Sequence, residues 1–216
     1  TIVNGKKNKL ILLNCQNRNF KYINFDFNNY KFLLINTNIE HNLADSAYNE
    51  RVKECSEALS VINKKYNKYN SLIEVEENIL NEFKSILKEK IYNRALFVIQ
   101  ENQRTHDSAN KISNSKLKEF GELMYKSHYG LKNLYEVSCK ELDFLVEFTS
   151  NHEEIIGSRM MGGGFGGCTI NLIKENYVDN FVDLVSQAYL DKFHIKLNAF
   201  TVNIDNGITI KNIYDF

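Results

Sequence analysis

The segment from Ile155 to Ile173, I-I-G-S-R-M-M-G-G-G-F-G-G-C-T-I-N-L-I, constrains the chain most. Five of the chain's ten glycines fall between Gly162 and Gly167. Apolar, partly β-branched runs flank them, which predicts a strand, a glycine loop and a second strand. Glycine accepts positive φ and lets another molecule approach the backbone closely. Successive N–H groups in such a loop can form a concave nest for an anion. Arg159 is the nearest charged side chain. A loop lying against a phosphate is therefore one reading, and a purely structural turn between packed strands is the other. No G-K-[S/T] closes the segment, so it is not a P-loop. The residues after the glycines read as a strand rather than a helix, so it is not a dinucleotide fingerprint either.

The rest of the chain arranges itself around this segment. The runs K-L-I-L-L-N-C, K-Y-I-N-F-D-F and Y-K-F-L-L-I-N-T-N-I, between residues 9 and 39, are β-branched and aromatic-rich and predict an antiparallel ribbon or meander. A helix comes next, with Asp45 or Ser46 as N-cap. Its apolar stripe is Tyr48, Val52, Cys55, Leu59 and Ile62, which makes Tyr48 a core aromatic on pattern alone. Residues 63–90 are rich in Lys, Asn and Glu and read as a solvated connection with a short helix near Glu77 to Leu87. Three helices succeed it. The first carries Ile91, Ala95 and Val98. The second carries Leu117, Phe120, Met124, His128 and Leu131, where His128 reads as a hydrogen-bonded structural histidine. The third starts at Ser138 as N-cap, with Glu141 completing a capping box. After the glycine loop come a strand at Cys168–Ile173, a helix over 176–193 and strands at 198–204 and 208–213. From Tyr30 onward this order is a split βαββαβ pattern, an α+β domain with a sheet covered by helices.

Composition excludes several function classes. The 216 residues carry 27 basic and 27 acidic side chains, so no net charge favours nucleic acid. No apolar run approaches the roughly 18 residues of a membrane span. Cys15, Cys55, Cys139 and Cys168 are widely separated, which predicts reduced thiols, a cytoplasmic setting and no zinc site.

The string R-M-M-G-G-G-F-G-G-C-T-I resembles the third sequence motif of galactokinases, in the GHMP small-molecule kinase superfamily, whose form is close to R-M-T-G-A-G-F-G-G-C-T. Met161 stands where the family has Thr, and Gly163 where it has Ala. The stretch N-I-E-H-N-L-A-D-S-A-Y-N-E-R resembles the family segment N-x-x-H-x-L-A-x-S-x-Y-x-x-R, in which the tyrosine lies beside the sugar. E-N-Q-R, S-H-Y-G-L and Y-E-V-S-C-K-E-L-D extend the likeness. The resemblance implies a ferredoxin-like C-terminal domain over residues 30–216, with residues 1–29 as a meander closing the kinase N-terminal domain. It implies that Gly162, Gly163 and Gly164 back the phosphates of ATP and that Tyr48 lines the galactose pocket. His41 and Arg51 also fit the pattern, with no catalytic role assigned.

The family's sugar-binding G-E-H-x-D-Y, its serine-rich ATP motif and the catalytic aspartate of G-x-M-D-Q-F do not occur in these 216 residues. The resemblance therefore implies a C-terminal part of a galactokinase that is inactive alone. The resemblance also implies that catalysis and the Mg2+ ligands belong to a missing N-terminal kinase domain. The family-based alternatives are a related N-acetylgalactosamine kinase and a non-catalytic sugar sensor.

Overall fold

A computed structural model describes residues 3–25, 29–39 and 44–208. Strands β1 (Lys9–Leu13) and β2 (Phe20–Asn24) pair as an antiparallel hairpin. The third predicted strand, β3 (Tyr30–Asn36), does not extend this ribbon into a meander. It is a central strand of a separate four-stranded sheet with β4 (Ile155–Met160), β5 (Cys168–Lys174) and β6 (Asn198–Val202), in the order β4-β5-β3-β6. Every pairing in it is antiparallel. The run Phe32-Leu33-Leu34-Ile35 is buried throughout, as a strand covered on both faces should be.

The six helices of the described residues are α1 (Ala44–Tyr66), α2 (Glu77–Asn81), α3 (Glu89–Ser113), α4 (Leu117–Asn133), α5 (Lys140–Thr149) and α6 (Val178–Phe193). Alternation along the strands sorts side chains to opposite faces. Leu33, Ile35 and Ile173 pack with Leu145 of α5 and with Phe181, Val185 and Tyr189 of α6. Phe32 and Leu172 face the other way, toward Ile112 of α3 and Met124 of α4, with Leu10 and Ile23 of the hairpin closing the layer. Strand order and crossovers are those of the expected split βαββαβ unit, with the α1–α4 insertion between its first two strands.

Four local readings are corrected. Residues 63–90 are not a solvated connection: Leu72, Val75, Leu80, Phe83 and Leu87 are buried in one cluster with Ala58, Ile62 and Ile91. Helix α5 begins after Cys139 with no side-chain cap, and Ser138 Oγ instead donates to Asp143 Oδ1 at 2.6 Å. Helix α1 starts at Ala44, ahead of the expected caps Asp45 and Ser46. Ile208 is not in a strand, and the remainder of the strand expected at 208–213 lies outside the described residues, as does His41.

Helix α4 lies unusually close to β4. A Cβ on Gly121 would collide with the Ile156 carbonyl, and one on Gly157 would sit 2.6 Å from Gly121 Cα. Only two glycines allow this approach, which brings the C-terminal half of α4 against the end of β4 where the glycine loop begins.

Candidate functional site

The loop between β4 and β5 is held at its entry, near its apex and at its exit. At the entry, Met160 N–H donates to His128 Nδ1 at 3.3 Å. With Nδ1 accepting, the imidazole proton belongs on Nε2, which lies 3.3 Å from Asp143 Oδ1. His128 is 1% exposed and is the structural histidine expected from its stripe. Burial alone would raise Asp143, but contacts from His128, Ser138 and Lys132 outweigh it and hold its carboxyl below the usual carboxylate range. Met161 N–H donates to the Cys168 carbonyl at 2.9 Å, closing the neck. At the apex, Phe165 N–H donates to the Val137 carbonyl at 2.8 Å. At the exit, the Gly167 carbonyl accepts from both Thr37 N–H and Thr37 Oγ1, each at 2.9 Å.

Between these supports the backbone donors are free. The N–H groups of Gly162, Gly163, Gly164 and Gly166 make no hydrogen bond with any described residue. Gly162, Gly164, Gly166 and Gly167 all have positive φ, as does Phe165. Successive unpaired donors on a loop of this kind can form a concavity that receives an anion. The predicted phosphate glycines are not equivalent, however. A Cβ at Gly162 or Gly163 would meet nothing within 4 Å, whereas one at Gly164 would collide with the Val137 carbonyl. Gly162 and Gly163 thus form an open edge, and Gly164 is packed against the 134–137 turn.

Arg159 holds the loop's base from the α3 side. Its Nε donates to the Met160 carbonyl at 3.0 Å and its Nη1 lies 3.4 Å from Glu101 Oε1. Glu101 also pairs with Arg104 and accepts from Ser127 Oγ at 2.5 Å. Burial depresses the Arg159 pKa, with Glu101 opposing that shift. These groups line a cavity of about 370 Å³, together with Met161 and Gly162.

Tyr48 is not a core aromatic. It is 65% exposed on α1, and Val52 is exposed too. The buried face of α1 is Arg51, Glu54, Ala58 and Ile62. Sequence periodicity missed Arg51 and Glu54 because both are charged, yet they are buried as partners. Arg51 Nη1 and Arg94 Nε both reach Glu54 Oε2, at 2.9 and 3.1 Å, and Lys90 Nζ lies 2.8 Å from Oε1. Burial pushes Glu54 up, but bonds from Lys90 and Arg94 and the two arginine charges hold it below its ordinary value. The E-N-Q-R string did carry a signal for Glu101 and Arg104, since its two charged ends sit three apart on one helix face.

Comparison with known proteins places this geometry. Residues 109–191 match the GHMP kinases C terminal family. The galactokinase of Clostridium acetobutylicum is 41% identical over 94% of this chain and 52% of its own length, and that of Bacillus subtilis is 36% identical over the same shares. The chain thus spans about half the length of the curated relatives it matches. Among solved structures, Lactococcus lactis galactokinase complexed with galactose superposes with a TM-score of 0.89 at 32% identity, covering 95% of this chain and 53% of that one. L. major mevalonate kinase in complex with R-mevalonate shares the fold, with a TM-score of 0.53 at 18% identity over 92% of this chain and 50% of that one. Residues 109–191 thus correspond to a GHMP kinase C-terminal domain, in a chain that is similar along 94% of its length to about half of a galactokinase.

Proposed function

We propose that the chain is the C-terminal part of an enzyme that transfers the γ-phosphoryl group of ATP to the C1 hydroxyl of galactose. The observation that carries this reading is the glycine loop. It offers four unpaired backbone N–H groups and an open edge at Gly162–Gly163, in a chain similar along 94% of its length to galactokinases. Gly162 and Gly163 back the phosphates by close backbone approach. Gly164 contributes its N–H while its other side rests on Val137. Tyr48 presents its hydroxyl to the sugar from the exposed face of α1, as a sugar-facing tyrosine must. Phosphoryl transfer also needs magnesium ligands and a group that orients or deprotonates the nucleophile. The N-terminal half of the enzyme supplies these, and no residue of this chain is assigned a catalytic role.

Tyr48→Phe in the complete enzyme tests the reading. Loss of one neutral hydrogen bond is worth on the order of 1 kcal/mol, and each 1.4 kcal/mol is about tenfold in rate. The expected result is a loss of roughly three- to thirtyfold in kcat/KM for galactose, with ATP affinity retained. Unchanged galactose kinetics would remove Tyr48 from the sugar site.

A further inference from the structure

The apex of the glycine loop rests on a turn that two arginines from two different helices grip by its carbonyls. Arg51 of α1 donates from Nε to the Tyr135 carbonyl at 2.6 Å and from Nη2 to the Glu136 carbonyl at 3.1 Å. Arg94 of α3, fully buried, donates from Nη1 to the Leu134 carbonyl and from Nη2 to Glu136 Oε2 at 2.6 Å. Three consecutive carbonyls, at 134, 135 and 136, are therefore each taken by a guanidinium. Glu54 lies between the two arginines and fixes both forks. The gripped turn is strained, because Glu136 has φ +52°. The next residue is Val137, whose carbonyl accepts Phe165 N–H and packs on Gly164.

We propose that Arg51 is a positioning residue for the phosphate loop, acting through the 134–137 turn, with Arg94 as its counterpart from α3. The inference rests on the reading of the loop as a phosphate cradle. Arg51 lies three residues beyond Tyr48, so on α1 the two are neighbours. One turn of helix therefore carries both the proposed sugar contact and the clamp that holds the apex of the phosphate loop. A planar guanidinium is needed for this. It serves Glu54 and two carbonyls at once in fixed directions, which the single ammonium of lysine cannot do.

The test is Arg51→Lys, with Arg94→Lys as an independent second variant, in the complete enzyme. Lysine keeps the charge beside Glu54 and gives up the carbonyl forks. The melting temperature is expected to stay within a few degrees in at least one variant. A displaced apex is expected to cost about 10- to 100-fold in kcat/KM for ATP. Affinity for a non-hydrolysable ATP analogue, measured by calorimetry, should fall in parallel, while KM for galactose holds. Amide exchange at Phe165 should accelerate, since its acceptor is no longer fixed. Unchanged ATP-analogue affinity with unchanged Phe165 exchange would overturn the proposal. So would failure of both lysine variants to fold, which would make the guanidinium forks supports of the fold rather than of the loop. Gly163→Val on the otherwise unaltered enzyme separates the clamp from the cradle it serves. If it leaves ATP-analogue binding intact, the phosphate reading falls and this inference with it. If it weakens binding and Arg51→Lys does not, only the inference falls.

Discussion

Adding one methyl group at successive glycines of the loop should give three different outcomes. Gly163 has open space around its Cβ position and no positive φ. Gly163→Ala should therefore be neutral or stabilising by about 0.4–1 kcal/mol, through loss of freedom in the unfolded chain. Gly162 is equally open but has φ +86°, so Gly162→Ala should cost about 1–2 kcal/mol for the left-handed backbone alone. At Gly164 the φ is +88° and the new Cβ would strike the Val137 carbonyl, with Met160 Cε only 3.0 Å away. Relieving that collision moves Val137 off Phe165 N–H and adds about 1 kcal/mol for the lost hydrogen bond. The total is about 2–3 kcal/mol. In a chain this long each kcal/mol shifts the melting temperature by about 2–4 °C. Gly164→Ala should then lower the midpoint by about 4–12 °C, Gly162→Ala by about 2–8 °C, and Gly163→Ala not at all. Circular dichroism melts of the three variants beside the parent chain measure this directly. Equal midpoints for Gly163→Ala and Gly164→Ala would refute the division of the loop into one open edge and one packed edge.

Two further outcomes arise from the same geometry. Glu54 is held below its ordinary pKa in the folded chain, so its contribution to stability is present above the unfolded value of about 4.3 and is lost as pH falls through the folded one. Glu54→Gln should therefore lower the melting temperature at pH 7 and flatten its fall as the pH drops below about 5, and an unchanged slope would exclude Glu54 from the acid response. The 216 residues alone should stay at background in a coupled ADP-release assay with galactose and Mg-ATP, because the serine-rich motif and the aspartate of G-x-M-D-Q-F do not occur in them; galactose-dependent turnover by this chain would overturn that division of labour.

The strand–loop–strand unit and α6 could be read from the sequence because their signals are local. Glycines break two β-branched runs, and Phe181, Val185 and Tyr189 repeat at helical spacing and are all fully buried. Local pattern misassigned β3 to the N-terminal ribbon, because Phe32 to Ile35 is apolar in every position and so carries no alternation to match to a neighbour; only the order of elements from Tyr30 onward put it in the split βαββαβ sheet. The core between Leu72 and Leu87 was hidden for a different reason. Its buried residues lie on a short 3-10 turn, a five-residue helix and further turns, so no single period runs through them.

The face of α1 shows most clearly where reading by hydrophobicity fails. A stripe search selects Tyr48 and Val52 and rejects Arg51 and Glu54, yet the structure exposes the first pair and buries the second. The inversion has one physical cause. A charge can be buried when it is paired and hydrogen-bonded: Glu54 pairs with Arg51, Arg94 and Lys90, and Arg51 also donates to the carbonyls of Tyr135 and Glu136. A core built only of hydrocarbon could have sealed α1 against α3, but it could not have gripped a strained turn by its carbonyl oxygens. The polar seal leaves the adjoining face of α1 open to solvent, and Tyr48 stands on that face. Two of the residues that the pattern misplaced, Arg51 buried and Tyr48 exposed, thus belong to a single arrangement on one turn of α1.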